Sequence, residues 1–267
     1  MKKKNWLLGT ITFIVVLFVI SPLLVIIPTS FTSVKYLSFP PVGFSGMWYA
    51  KIFDRPEFTE SFVFSLELAA LTAVISTLVG TLAGLALHKY KFRGSGVING
   101  LLLSPLTVPA LIIGIAVLLF FTRIGIAGTF LGLLLAHILI SIPYVVRLVL
   151  TGLSSFDYTL ERAAYIMGAK PINVFWDITM PLLKPAIMSG MIFAFLTSFD
   201  NVTVSLFLIS PSTTTLPLAI FSHMQESLDP LVASISSVVI LLSLVFIIIL
   251  ERVYGLDRLF GSNSQSH

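Results

Sequence analysis

The sequence predicts an all-α membrane protein with six transmembrane helices and one extra helix on the cytoplasmic side. Three observations predict it. Hydrophobic residues make up 57% of the 267 and charged residues only 10%, with a mean hydropathy of +1.02, a balance outside that of soluble domains. Six apolar runs reach the roughly 20 residues needed to cross a bilayer. Lys and Arg then fall unequally on the two sides of those runs. With the N-terminus inside, only Lys35, Lys51, Arg55 and Arg123 of the 16 basic residues lie outside, as the positive-inside rule requires. Both termini are therefore expected in the cytoplasm.

The spans are read near Trp6 to Ile27, Phe62 to Leu87, Gly100 to Phe121, Ile126 to Leu150, Ala186 to Ile209 and Leu231 to Leu250. The first follows Lys2, Lys3 and Lys4, the basic start of a signal peptide, but its apolar run is long enough for an uncleaved anchor. Net charge is +4, and its placement in loops rather than on one face argues against a nucleic-acid partner. Cysteine is absent, which excludes disulfides, thiol catalysis and cysteine metal sites.

Between the first two spans, Pro28 to Ser61 carries Trp48 and Tyr49, which read as interfacial aromatic anchors. The second span bears Ala69, Ala73, Ser76, Thr77, Gly80, Ala83 and Gly84, a helix-packing stripe, and Gly128 and Gly132 open the fourth span in the same way. Glu67 is divided evenly between a pathway group and one solvated near the surface. The basic loop His88 to Asn99 suits the cytoplasm, and no P-loop pattern occurs in the chain, so ATP hydrolysis needs a separate protein. In the third span Pro105 and Pro109 each remove a backbone donor, predicting a kinked or unwound helix. Ser104 and Thr107 are candidates for a solute pathway there, with a purely structural kink equally open. His137 reads as a hydrogen-bonded packing residue, since no second ligand sits at metal spacing.

The most informative loop is Asp157 to Pro185. Leu160, Ala163, Ala164 and Met167 fall at i, i+3, i+4 and i+7, one face of a short amphipathic helix with Glu161 and Arg162 elsewhere. Asp157 is a candidate N-cap, Gly168 a left-handed stop, and Pro171 the first residue of a second short helix ending near Pro181. A narrow face containing two alanines buries too little to fold alone and suits a groove on another protein.

Here the chain resembles a known family. Ala163, Ala164 and Gly168, followed after nine residues by Ile178 and then Met180 and Pro181, resemble the EAA signature of permease subunits of bacterial ABC importers. Arg162 stands where the signature has Glu, with Glu161 one place earlier, and Met180 stands where Leu is usual. The resemblance implies a type I importer permease fold, a single permease domain over 1–267 with a core of 60–252, and a coupling helix that docks on the ATPase through Asp157, Leu160, Glu161, Arg162, Ala163, Ala164, Met167 and Gly168. It further implies two ATPase subunits, a sister permease in a heterodimer, an extracytoplasmic solute-binding protein and a bacterial inner-membrane location. No cofactor is expected on this chain, ATP and Mg²⁺ being used by the ATPase.

In the fifth span, Asp200 and Asn201 stand with Thr197, Ser198 and Thr203 near the middle of the predicted helix. A carboxylate at that depth has to be paired or hydrated, which makes these residues candidates for the solute pathway. This stretch and PLTVPALIIG resemble the spermidine/putrescine branch of the family. That branch commonly has a second acid where Asn201 stands, which leaves room for a singly charged amine or an amino-acid-like solute as well as a polyamine. Two other classes are weighed. An ion-coupled carrier lacks a second half here, and a membrane enzyme lacks a cluster of catalytic or metal-binding groups.

Overall fold

The computed structural model describes residues 6–90, 92–210 and 213–254. Lys2, Lys3, Lys4, Lys91, Arg258 and the tail Gly261 to His267 lie outside them. The order is α1 (Trp6–Thr29), α2 (Met47–Phe53), α3 (Pro56–Lys89), α4 (Ser95–Leu103), a 3₁₀ turn (Ser104–Leu106), α5 (Ala110–Arg123) and α6 (Phe130–Ser154). There follow α7 (Thr159–Ile166), α8 (Pro171–Val174), a π turn (Phe175–Thr179), α9 (Met180–Phe199), α10 (Thr203–Phe207), α11 (Leu216–Glu226) and α12 (Pro230–Tyr254).

Among the described residues, four helices are long and apolar enough to cross a membrane: α1, α3, α6 and the continuous Pro171–Phe199. A fifth is counted if Ser95–Leu106 and Ala110–Arg123, bent by 104° at their break, form one span. The expected kink of the third span is thus a true interruption, with Pro109 extended at φ −54°, ψ 132°. Within α12, Pro230–Val245 is a shorter apolar stretch.

The fifth span differs from expectation at both ends. It begins at Pro171, because the short helix expected to stop near Pro181 instead runs through the π turn into α9. The wider π spiral accommodates the donor that Pro181 lacks. It ends at Phe199, so Asp200 sits at the C-terminal cap of α9 rather than mid-helix.

The described parts of 1–60 and 219–247 form one compact unit, and those of 61–218 and 248–267 a second. In the first, the Trp48 indole is buried and donates to the Thr32 carbonyl at 2.9 Å, and the Tyr49 and Ser30 hydroxyls lie 2.6 Å apart. Trp48 is therefore a core residue of the first unit, not the interfacial anchor its sequence suggested. A satisfied N–H lets indole bury fully.

In the second unit, α6 is the central helix. Leu133, Ala136 and Ile140 join a core with Leu68, Ile113, Val117 and Val204, while Val145, Val149 and Leu153 join another with Ala73, Leu183 and Ala194. The small-residue stripe of α3 explains the approach. A Cβ on Gly80 would lie 2.7 Å from Val145 Cβ, and one on Gly84 2.8 Å from Val149 Cγ1, so close backbone packing replaces the hydrophobic drive that lipid does not supply. Gly128 lies before the fourth span, at φ +71°, and Thr129 caps α6 by accepting the Gly132 N–H at 3.1 Å.

Candidate functional site: an exposed loop helix and two helix breaks

The loop helix α7 is built by its ends. The Asp157 carboxylate accepts the Thr159 N–H at 2.9 Å and its hydroxyl at 2.7 Å, which holds Asp157 below the usual carboxylate range, the hydroxyl contributing most. Asp157 lies one position before the assigned cap, Tyr158, yet it performs the cap's work. At the other end Gly168 adopts φ +84°, its N–H bonds the Tyr165 carbonyl, and the Ala169 N–H bonds the Ala164 carbonyl, both at 3.0 Å. This is a Schellman stop, for which the left-handed residue is required. Lys170 then leads into Pro171 at the start of α8.

The faces of α7 are assigned by their neighbours. Leu160, Ala163 and Met167 are exposed, Met167 at 81%, and Ile166 joins them at 86%. Ala164, expected on that face, is only 5% exposed and turns toward its own chain. Glu161 also turns inward, accepting the Thr179 hydroxyl of the π turn at 2.5 Å. Arg162 is exposed. The Tyr158 ring stacks on His88 at the end of α3, with their polar atoms hydrogen-bonded, and packs against Phe156 at 4.9 Å. Burial and the Glu161 charge raise the Tyr158 hydroxyl above its ordinary pKa. Behind the helix lies a cavity of about 540 Å³, lined in part by Leu85, His88, Tyr158, Glu161, Phe175 and Thr179.

At the first break, Ser104 donates to the Leu101 carbonyl at 2.8 Å and Thr107 to the Ser104 carbonyl at 2.9 Å. Both carbonyls also accept backbone N–H groups, that of Leu101 from Ser104 and that of Ser104 from Thr107 and Val108, so the hydroxyls add to bonds already made. At the second, Asn201 Oδ1 accepts the Val204 N–H at 2.9 Å and starts α10. Asp200 is exposed, whereas Ser198 is buried and Thr197 half-buried. The ion pairs among the described residues, Arg55–Glu57 and His223–Asp229, do not include Asp200. The helices after the two breaks meet, since a Cβ on Gly114 of α5 would lie 2.4 Å from the Phe207 ring of α10. Ser198 faces inward for another reason: its hydroxyl lies 2.8 Å from Nδ1 of His137 on α6, whose Nε2 is 3.0 Å from the Ser205 hydroxyl on α10. His137 is thus the hydrogen-bonded packing residue that the sequence indicated.

Comparison with known proteins identifies the frame that carries these features. Residues 76–255 match the model for the binding-protein-dependent transport system inner membrane component. The chain belongs to that family. It is 31% identical over 251 residues to the spermidine/putrescine transport system permease protein PotC of Haemophilus influenzae, covering 94% of this chain and 97% of that one. With the PotC of Escherichia coli strain K12 it shares 33% identity over 227 residues, covering 85% and 86%. A crystal structure of a bacterial alginate ABC transporter, in complex with a periplasmic protein bound to alginate pentasaccharide, is similar in fold. Its TM-score is 0.72 at 13% identity, covering 97% of this chain and 96% of that one. This chain is a membrane transport permease, not an enzyme.

Proposed function

We propose that the chain is one of the two permeases of an ABC importer for a polyamine or a related small amine, paired with a sister permease above two ATPase subunits and served by an extracytoplasmic binding protein. In this reading α12 is the sixth span, both termini are cytoplasmic, and α7 is the coupling helix. The observation that carries the solute class is Asp200. It is an exposed carboxylate at a helix break, outside the ion pairs formed among the described residues. A carboxylate at membrane depth costs several kcal/mol unless water or a cation compensates it, and a cationic solute supplies that compensation only while it passes. The similarity to two spermidine/putrescine permeases points the same way. The exposed Leu160, Ala163, Ile166 and Met167 support α7 as the contact with the ATPase, because apolar groups projecting from a loop gain by burial in a partner's groove.

Reconstitution tests the reading. The chain, co-purified with its ATPase and sister permease, should take up labelled spermidine or putrescine into proteoliposomes only with ATP and binding protein present. Uptake without ATP would contradict it.

A further inference from the structure

We propose that His137 is a positioning residue for solute transfer, tying together the two helices on either side of the α9–α10 break and so fixing where Asp200 and Asn201 stand. The proposal rests on the reading of Asp200 as a pathway residue.

The hydrogen bonds can be followed one proton at a time. The Ser205 hydroxyl donates to the Asn201 carbonyl at 2.9 Å, so its single proton is used. It can therefore only accept from His137, which requires the imidazole to carry its proton on Nε2. In the neutral ring Nδ1 is then an acceptor, and the Ser198 hydroxyl donates to it at 2.8 Å. The chain runs in one direction: Ser198 to His137, His137 to Ser205, Ser205 to the Asn201 carbonyl. Asn201 closes it by accepting the Val204 N–H with its own side chain. His137, Ser198 and Ser205 are all buried.

The arrangement replaces what the break removes. A continuous helix holds its axis by backbone bonds, and those are lost between Phe199 and Thr203. Here a side chain from a third helix spans the gap and bonds the last turn of α9 and the body of α10. Inside a low-dielectric bundle each of these bonds is strong, and an unmade one is costly. The result is a stiff corner that presents Asp200 outward. Stiffness suits a transport site, because a group held in place loses less freedom when it meets its solute.

The test uses the assembled transporter, with labelling read on this chain alone, which has no native cysteine. A single cysteine at Asp200→Cys reports the geometry through its rate of reaction with N-ethylmaleimide, and spermidine uptake in the Asp200-containing protein reports KM. His137→Phe keeps a planar aromatic ring, slightly larger than imidazole, but deletes both bonds. It should change the labelling rate by about fivefold or more and raise KM about tenfold, with complex assembly and basal ATP hydrolysis kept. Ser205→Ala should follow with a smaller change. Ser141→Ala, which removes a buried hydroxyl one turn further along α6, should alter neither. A His137→Phe complex with native labelling rate and native KM would overturn the proposal. If His137→Phe does not assemble, Ser205→Ala is judged by the same two measurements, and native values there overturn it equally. A shifted labelling rate alongside unchanged KM in Asp200→Asn would remove the pathway reading of Asp200 while leaving the positioning role of His137 in place.

Discussion

The α7 loop and the Asp200 corner both interrupt the helical run of the second unit, but they are held by opposite means. The loop is specified within the stretch from Asp157 to Pro171: Asp157 and Thr159 at one end, Gly168 and Pro171 at the other, with Leu160, Ala163, Ile166 and Met167 turned outward. The corner is specified across the bundle, by His137 reaching Ser198 and Ser205. A locally capped element keeps its shape when its surroundings move, whereas a cross-braced corner keeps its position relative to the core. The first suits a moving contact with a partner and the second a solute site.

The largest effect that separates the two is expected within the loop itself. Ala163→Arg, on the exposed face, should leave the permease folded and inserted yet lower ATP-driven uptake by about tenfold or more, because a close-packed groove tolerates little added volume. Ala164→Arg strikes the inward face and should reduce the amount of folded protein in the membrane. Equal behaviour of the two variants, read by uptake and by detergent-extracted yield, would erase the distinction between the faces.

Gly168→Ala ranks next. Open space surrounds the glycine, so the change acts only through its left-handed backbone and should cost about 1–2 kcal/mol. Because the stop is local, assembly with the ATPase should weaken while solute KM stays constant. A change in KM would mean that the loop and the corner are coupled through the fold.

These contrasts follow what the sequence made legible. The Gly168 stop, the Pro171 start and the broken third span were readable because each depends on neighbours within a turn or two. The i, i+3, i+4, i+7 spacing omits Ile166 from the exposed face, although it lies three residues after Ala163, and puts Ala164 there, which the structure buries. Which flank of a narrow helix faces inward depends on His88 and Thr179, which are distant in sequence. The break at Asp200 is hidden in the sequence. Apolar residues continue through Val202, Val204 and Leu206, so hydropathy shows an unbroken span, and only the Asn201 cap marks a new helix start. The buried role of Trp48 depended on a carbonyl sixteen residues away.

Orientation can be checked with little perturbation. Lys170→Cys should resist an impermeant thiol reagent in intact cells, and Gly46→Cys, at an exposed site with open space around it, should react. The reverse pattern would put the loop on the wrong side for an ATPase.

The smallest effect concerns pH. Asp157 has a folded pKa below its ordinary value, so its bond to Thr159 contributes stability above the unfolded carboxylate pKa of about 3.9 and loses it as pH falls through the lower folded value. Thr159→Ala deletes the hydroxyl bond and keeps the backbone one, so it should weaken that acid-range dependence and change little at neutral pH, as followed by thermal unfolding of the purified complex. The exposure of the pair keeps the amplitude small.

The central claim is tested most directly by spermidine uptake kinetics of Asp200→Asn, a change that preserves size and deletes only the charge. The account predicts a fall of about tenfold or more in kcat/KM, with ATPase assembly retained, since a charge–charge contact in a partly dry site is worth more than the hydrogen bond that replaces it. Uptake at the wild-type rate and KM would contradict it and make Asp200 a capping residue.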